Sequence, residues 1–224
     1  MVRPVWQRER RGRLQGWPDD LHEAERTRQK TTPPLNPHLL LASKSPRRRQ
    51  LLGELGFPLD FVDIDVDEHL DHPVPAHEVA GQTALRKAEG YTGTLGEGDV
   101  LVTADTVVVH AGAVLGKPRD RAEALSMLQA LSGDVHQVYT GVCLRTSRRR
   151  VCFTECTDVH FRSLTQQEMA YYVDRYRPFD KAGAYGIQEW IGMVGISRIE
   201  GCYYNVMGLP VARLYEELKT LLVD

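Results

Sequence analysis

The chain of 224 residues is poor in the features that mark several large protein classes. Its four cysteines, Cys143, Cys152, Cys156 and Cys202, form no C-x-x-C pair and no zinc-ribbon spacing, which excludes a disulfide scaffold and a structural zinc site. They are expected to be reduced. No stretch approaches the roughly 18 to 20 consecutive apolar residues of a membrane helix, and the N-terminus lacks the apolar core of a secretion signal. The expected address is therefore the cytoplasm, away from membranes. An excess of one charge is missing too: 28 basic residues against 30 acidic ones leave a net charge of −2, too even for a protein that grips a nucleic acid polymer by bulk charge. A local anion site is still compatible with that balance.

What is present supports one core. A chain this long buries roughly 70% of its unfolded surface, and a 42% apolar composition suffices for that without staples. Composition shifts once, near residue 37. Residues 1–37 carry eight basic and five acidic residues, no sustained apolar period, and a proline-rich exit from Thr31 to Pro37. They read as a basic, flexible extension, followed by a catalytic-type domain over 38–224.

From Leu39 onward, strand-like runs alternate with helix-period runs. Strands are predicted at Leu39 to Ala42, near Phe61 to Ile64, and at Val100 to His110, with helices at Pro46 to Leu55, Ala76 to Tyr91 and Arg119 to Leu131. Val135 to Arg145 and Val151 to Phe161 read as a hairpin through the polar turn Thr146 to Arg150. Thr165 and Glu168 form a capping box that opens another helix, closed by Pro178, and a last helix starts at Pro210. With no internal repeat, this alternation predicts an α/β fold: a mixed twisted sheet with flanking helices.

Three segments could carry chemistry. In Leu41-Ala42-Ser43-Lys44-Ser45-Pro46-Arg47-Arg48-Arg49 a strand ends, Ser45 is a good N-cap and Pro46 suits a first helical turn. Free N–H groups, the helix dipole and forked arginine donors would seat an anion there. The same residues also suit a capped surface helix with solvated arginines, and the Walker spacing is absent. In Thr103-Ala104-Asp105-Thr106-Val107, a carboxylate lies inside an apolar strand, where it is paired, metal-bound or catalytic, or bonded to local backbone. Lys117, between Gly116 and Pro118, could aim its ammonium at the same anion or be merely solvated. The third segment, Pro178 to Gln188, has small residues that permit close approach. Gln188 offers the donor and acceptor needed to read the imide edge of uracil or thymine, and would serve equally as a surface amide.

Two patterns are set aside. Gly93, Gly96 and Gly98 precede a strand, the wrong side for a dinucleotide turn. His69, His72 and His77, near Asp67, Glu68 and Asp71, match no closed metal set.

Taken in order, Ser43-Lys44-Ser45-Pro46-Arg47-Arg48, Ala104-Asp105-Thr106-Val107-Val108, Gly116-Lys117-Pro118, Tyr139-Thr140-Gly141-Val142, Lys181 to Gln188 and Tyr204 to Pro210 resemble the Maf family of nucleoside triphosphate pyrophosphatases, named for an effect on septum formation. The resemblance runs from about Leu39 to the C-terminus. Lys-Ala-Gly-Ala-Tyr-Gly-Ile-Gln is similar to the branch acting on dTTP and UTP, unlike the branch taking 7-methyl-GTP. Glu189-Trp190 stands where a glycine is common. The resemblance implies a deep nucleotide-binding cleft, Asp105 as proton acceptor, and Arg47, Thr106 and Gln188 as positions tied to substrate choice. Ser45, from the anion seat, and Glu68, Lys87 and Lys117, from motif or approximate spacing, join the expected substrate pocket. A divalent cation, Mg²⁺ or Mn²⁺, is implied, with Asp105 as general base or as metal ligand, since both roles need an ionised carboxylate. A homodimer is also suggested. The rival class is a nucleotide-binding regulator of cell division that uses the pocket without turnover, and the rival substrates are modified nucleotides.

Overall fold

The computed structural model describes residues 35–67, 70 and 73–222. Residues 1–34, most of the predicted extension, lie outside the described residues, as do Glu68, His69, Asp71 and His72. The order of elements is β1 (His38–Ala42), α1 (Pro46–Gly53), β2 (Leu59–Phe61), α2 (Val79–Glu89), β3 (Asp99–His110), β4 (Ala113–Leu115) and α3 (Arg121–Leu131), then β5 (Val135–Arg145), β6 (Arg150–Phe161), α4 (Gln166–Tyr176), α5 (Trp190–Gly195), β7 (Ile196–Glu200), α6 (Tyr203–Met207) and α7 (Val211–Leu222). Seven strands form one mixed sheet in the order β2-β1-β3-β5-β6-β7, with β4 attached to β3. β1 runs parallel to β2 and β3, and the remaining pairs are antiparallel. The predicted α/β class and mixed sheet with flanking helices are what the chain adopts.

Local chemistry explains most boundaries. Ser45 caps α1 and Pro46 occupies its first turn, while Asp120 caps α3 by accepting from Glu123 N–H. Thr165 and Glu168 form the predicted capping box of α4, and Arg177 in the left-handed conformation ends that helix before Pro178. Ala111 and Gly112, with φ of 48° and 77°, make the two-residue turn between β3 and β4.

Side chains alternate across β3, so the sheet has two different faces. On one, α2 packs so closely that a Cβ on Gly141 would stand 2.3 Å from the Ala80 carbonyl oxygen. On the other, two apolar clusters form. One gathers Val100, Val102 and Ala104 with Leu51 and Leu52 of α1 and Leu214, Leu218 and Leu221 of α7. The second gathers Val108, Val138 and Phe161 with Leu128 of α3 and Met169 and Tyr172 of α4. Met207 packs against both.

The cysteine expectation changes. The four cysteines are not all free: Cys143 and Cys152 stand directly opposite in the β5–β6 register and are joined, with Sγ atoms 2.05 Å apart. Nine residues of separation gave no such signal, because the hairpin register alone sets that pair. The short elements β4, α5, β7 and α6, each three to six residues long, carry too few turns of pattern to be read from periodicity. Among the described residues, no helix is long and apolar enough to cross a membrane.

Candidate active site

The position of the site follows from the sheet. β1 pairs with β3 only as far as Ala42 and Thr103, and β4 takes up the same edge of β3 from Val108 onward. Between them, the edge from Ala104 to Val107 carries no strand. It opens beyond the carboxyl end of β1, where ligands bind in open α/β sheets. A cavity of about 690 Å³ occupies this gap. Six cationic side chains (Lys44, Arg47, Arg48, Lys87, Lys117 and Lys181) and four carboxylates (Asp63, Asp65, Asp105 and Asp180) line it, a local positive excess that the whole-chain charge conceals.

Asp105 and Thr106 sit in the gap and point to opposite faces of β3. On the α2 face, Lys87 Nζ lies 3.0 Å from Asp105 Oδ1. On the other face, Thr106 Oγ1 accepts from Arg48 Nη2 at 2.8 Å and lies 2.9 Å from Thr140 Oγ1, its cross-strand partner. Arg48 Nε also donates to the Gly208 carbonyl at 2.8 Å. Thr140 in turn donates to the Asn205 carbonyl, and Asn205 Nδ2 donates to Val138 O and Thr157 Oγ1. This chain of bonds fixes α6 and the Gly208 turn against β5 and β6, and so closes one wall of the cavity.

The three arginines that the sequence leaves alike are separated by the fold. Arg47 Nη1 donates to Asp180 Oδ2 at 2.9 Å, Arg48 crosses to Thr106, and Arg49 donates to the Ser43 carbonyl at 3.0 Å and stacks on Phe61. Ser45 spends its side-chain oxygen on the Arg48 N–H, at 3.5 Å, as a helix cap. Lys117 is exposed on a loop tied down where Gly183 N–H donates to Gly116 O at 3.1 Å.

The far wall is the segment from Asp180 to Gln188. Lys181 is buried, with its ammonium 2.7 Å from Asp180 and 3.0 Å from Glu189. Burial alone would raise the Asp180 carboxyl, but hydrogen bonds from Lys181 and Arg47 outweigh it and hold the group below the usual carboxylate range. Tyr172 accepts the Gly186 N–H at 3.0 Å and gives its own O–H to Glu189. Burial first, and the Glu189 carboxylate second, push that phenol far above its ordinary value. Gln188 lines the cavity, and its Oε1 is buried with no hydrogen-bond partner among the described residues.

Ser45, Arg47, Lys87, Asp105, Thr106, Lys117 and Gln188 are thus brought to one cavity, although they come from five separate stretches of chain. Glu68 lies outside the described residues. Sequence reasoning did not single out Arg48, Asp180 or Lys181. For Arg48 the available signal was its place three residues after the cap, and for Lys181 it was a lone lysine in a run of small residues. No group of three or more His, Cys, Asp or Glu side chains among the described residues is arranged to hold a metal ion. Asp105, one of the four carboxylates lining the cavity, instead fits a cation that would take most of its other ligands from phosphate oxygens.

A family model described as Maf-like protein matches residues 38–221. A dTTP/UTP pyrophosphatase of Bacteroides fragilis is 50% identical over 186 residues, covering 82% of this chain and 95% of that protein. Proteins of the same name from Bacteroides thetaiotaomicron and Parabacteroides distasonis are 48% and 49% identical, covering 82% and 81% of this chain and 95% and 94% of their own lengths. With the match running through every strand of the sheet and all the described walls of the cavity, the chain belongs to the family of Maf-like proteins.

Proposed function

We propose that this chain is a nucleoside triphosphate pyrophosphatase that hydrolyses dTTP and UTP to the monophosphate and diphosphate. The observation that carries the base assignment is that Gln188, a side-chain amide with both a donor and an acceptor, lines the cavity. An amide that reads the base and is left partly unpaired by the wrong one costs about 1–3 kcal/mol. The imide N–H and carbonyl of uracil or thymine match its oxygen and nitrogen, whereas the ring nitrogen at that edge of cytosine is another acceptor. The names of the relatives support the same substrates.

In this reading the cavity divides its labour. Arg47, Lys117 and the Ser45-capped start of α1 bind the phosphates, as forked donors and helix N–H groups suit anions. Thr106, held by Arg48 and Thr140, shapes the floor. Asp105 is the carboxylate beside the scissile bond, with Lys87 on Oδ1 leaving its other oxygen for a water. Hydrolysis breaks the bond between the α- and β-phosphates as that water attacks, and the water proton passes to carboxylate. A divalent cation, Mg²⁺ or Mn²⁺, bound through the triphosphate oxygens, would neutralise phosphate charge, and in the alternative to its role as base Asp105 would be the cation's protein ligand. An enzyme acting on these substrates would work in the nucleotide pool of the cytoplasm.

Pyrophosphate release over a panel of dTTP, UTP, CTP, GTP and modified pyrimidine triphosphates tests the proposal. Turnover of UTP and dTTP above the others is expected. Tight nucleotide binding without turnover would establish the regulator instead, and a preference for a modified base would move the substrate class.

A further inference from the structure

The backbone that carries Gln188 is held in an uncommon shape. Gly183 and Ala184 are consecutive left-handed residues, with φ of 68° and 58°, and alanine seldom adopts that region. Such a segment keeps its shape only where its surroundings over-determine it. Here two side chains outside the cavity lining do so. Tyr172, fully buried on α4, receives the Gly186 N–H at 3.0 Å and donates to one oxygen of Glu189. The other oxygen of Glu189 lies 3.0 Å from Lys181 Nζ, and the Glu189 N–H donates to Gly186 O at 3.0 Å. Glu189 therefore ties the start of the segment, at Lys181, to its end. The backbone lies directly on this clamp: a Cβ on Gly186 would stand 3.0 Å from Glu189 Cδ and 3.1 Å from Lys181 Cε.

We infer that Glu189, acting with Tyr172, is a positioning residue that sets base selectivity by fixing the Gly186 to Gln188 backbone without touching the nucleotide. The inference rests on the reading of Gln188 as the base-reading amide. A carboxylate is needed because one oxygen must accept from a phenol while the other faces an ammonium. A glutamine there keeps one acceptor for Tyr172 but turns an NH₂ donor toward Lys181, donor against donor.

Three variants test it: Glu189→Gln, Glu189→Ala and Tyr172→Phe, with folding checked by circular dichroism. In the free protein, amide exchange of the segment 182–188 should quicken by about tenfold in Glu189→Ala and less in Glu189→Gln. For UTP, KM should rise while kcat stays within about threefold, and the UTP to CTP ratio of kcat/KM should fall by about fivefold or more. Glu189→Gln should keep more of that ratio than Glu189→Ala. A merely structural loss would lower kcat for both nucleotides and leave their ratio alone, which overturns the inference. Exchange at the wild-type level in the folded Glu189→Gln and Glu189→Ala proteins overturns it regardless of the kinetics. A wild type that does not distinguish UTP from CTP instead removes Gln188 as base reader, and the selectivity role of Glu189 falls with it.

Discussion

Lys87 Nζ stands 3.0 Å from Asp105 Oδ1, and the two side chains are only 15% and 20% exposed. The pair joins the face of α2 to the open edge of β3, and it explains how a carboxylate is kept inside an apolar strand: a half-buried charge is tolerated when a partner is fixed beside it. Thr103, two residues earlier on the same face, donates to the Ala84 carbonyl of α2 at 2.7 Å, so helix and strand are locked at the step where Asp105 emerges.

Replacement of Asp105 by asparagine keeps the shape and removes the ionised oxygen. Turnover of UTP and dTTP should fall by about 10²–10⁴, the usual cost of losing a general base, while the melting temperature and much of the nucleotide affinity persist. Pyrophosphate release and a binding titration check this, and an Asp105→Asn enzyme with more than about half the wild-type rate rules out the role.

Arg47→Ala and Lys117→Ala should each weaken UTP and dTTP to a similar extent, because both ligands share the triphosphate. In Arg47→Ala the Asp180 carboxylate also loses one of its two cations, so the larger effect is expected there. A change in base preference with triphosphate affinity untouched would remove the phosphate role from the residue concerned.

The parts of this architecture that were legible in the sequence are those written in local chemistry. Caps at Ser45 and Thr165, valine-rich β3 and the β5–β6 hairpin announce themselves by residue type and period. The site was legible only as separate segments. Nothing between Lys87 and Asp105 says that 18 residues of chain return one to the other, since that depends on α2 lying against Gly141. The cross-sheet bonds of Arg48 to Gly208, across 160 residues, and the clamp of Glu189 on Tyr172 are tertiary facts with no local pattern. The gap in pairing along Ala104 to Val107 depends on where β1 stops and β4 starts, and β4 is too short to be read.

Of the predicted 1–37 extension, residues 1–34 are expected to be dispensable, because their sequence lacks the apolar period needed to join a core and the family match begins at residue 38; Leu35, which packs against the core, and the buried Pro37 belong with the domain. A chain starting at residue 35 should keep the melting temperature and kcat/KM of the full chain. A large drop in either would show that the segment contributes to the domain or to its cavity.

His38 sets a dependence of stability on pH. Its Nδ1 lies 2.9 Å from Asp99 and its Nε2 lies 3.1 Å from Asp60. The hydrogen bond to Asp99, with a smaller one to Asp60, raises the imidazole above its ordinary value of 6.5 in spite of partial burial. A raised folded-state value means that the contribution is complete below about pH 6.5 and is lost as the pH rises through the folded value. Because the ring is 38% exposed, solvent screening keeps the effect to about 0.5 kcal/mol. Melting temperatures of wild type and His38→Ala should differ most near pH 5.5 and converge toward pH 8.5. A gap that widens at alkaline pH would contradict this assignment.

Gln188→Ala tests base choice most directly. Gln188 lines the cavity, and its amide can accept the imide hydrogen of UTP or dTTP while donating to the neighbouring carbonyl. Truncation removes the favoured contact for uracil and thymine and the mismatch for cytosine together, so the two effects add in the ratio of efficiencies. With about 1–3 kcal/mol at stake, the UTP to CTP ratio of kcat/KM should drop by about 5- to 150-fold. The rate with UTP at saturation should change much less, since Asp105 and the phosphate-binding groups remain in place. dTTP should follow UTP, because both present the same imide edge and differ only in the 5-methyl group. Steady-state efficiencies for dTTP, UTP, CTP and GTP provide the measurement. An unaltered ratio in Gln188→Ala, or a wild type that turns over CTP as well as UTP, would mean that the base is not read by Gln188.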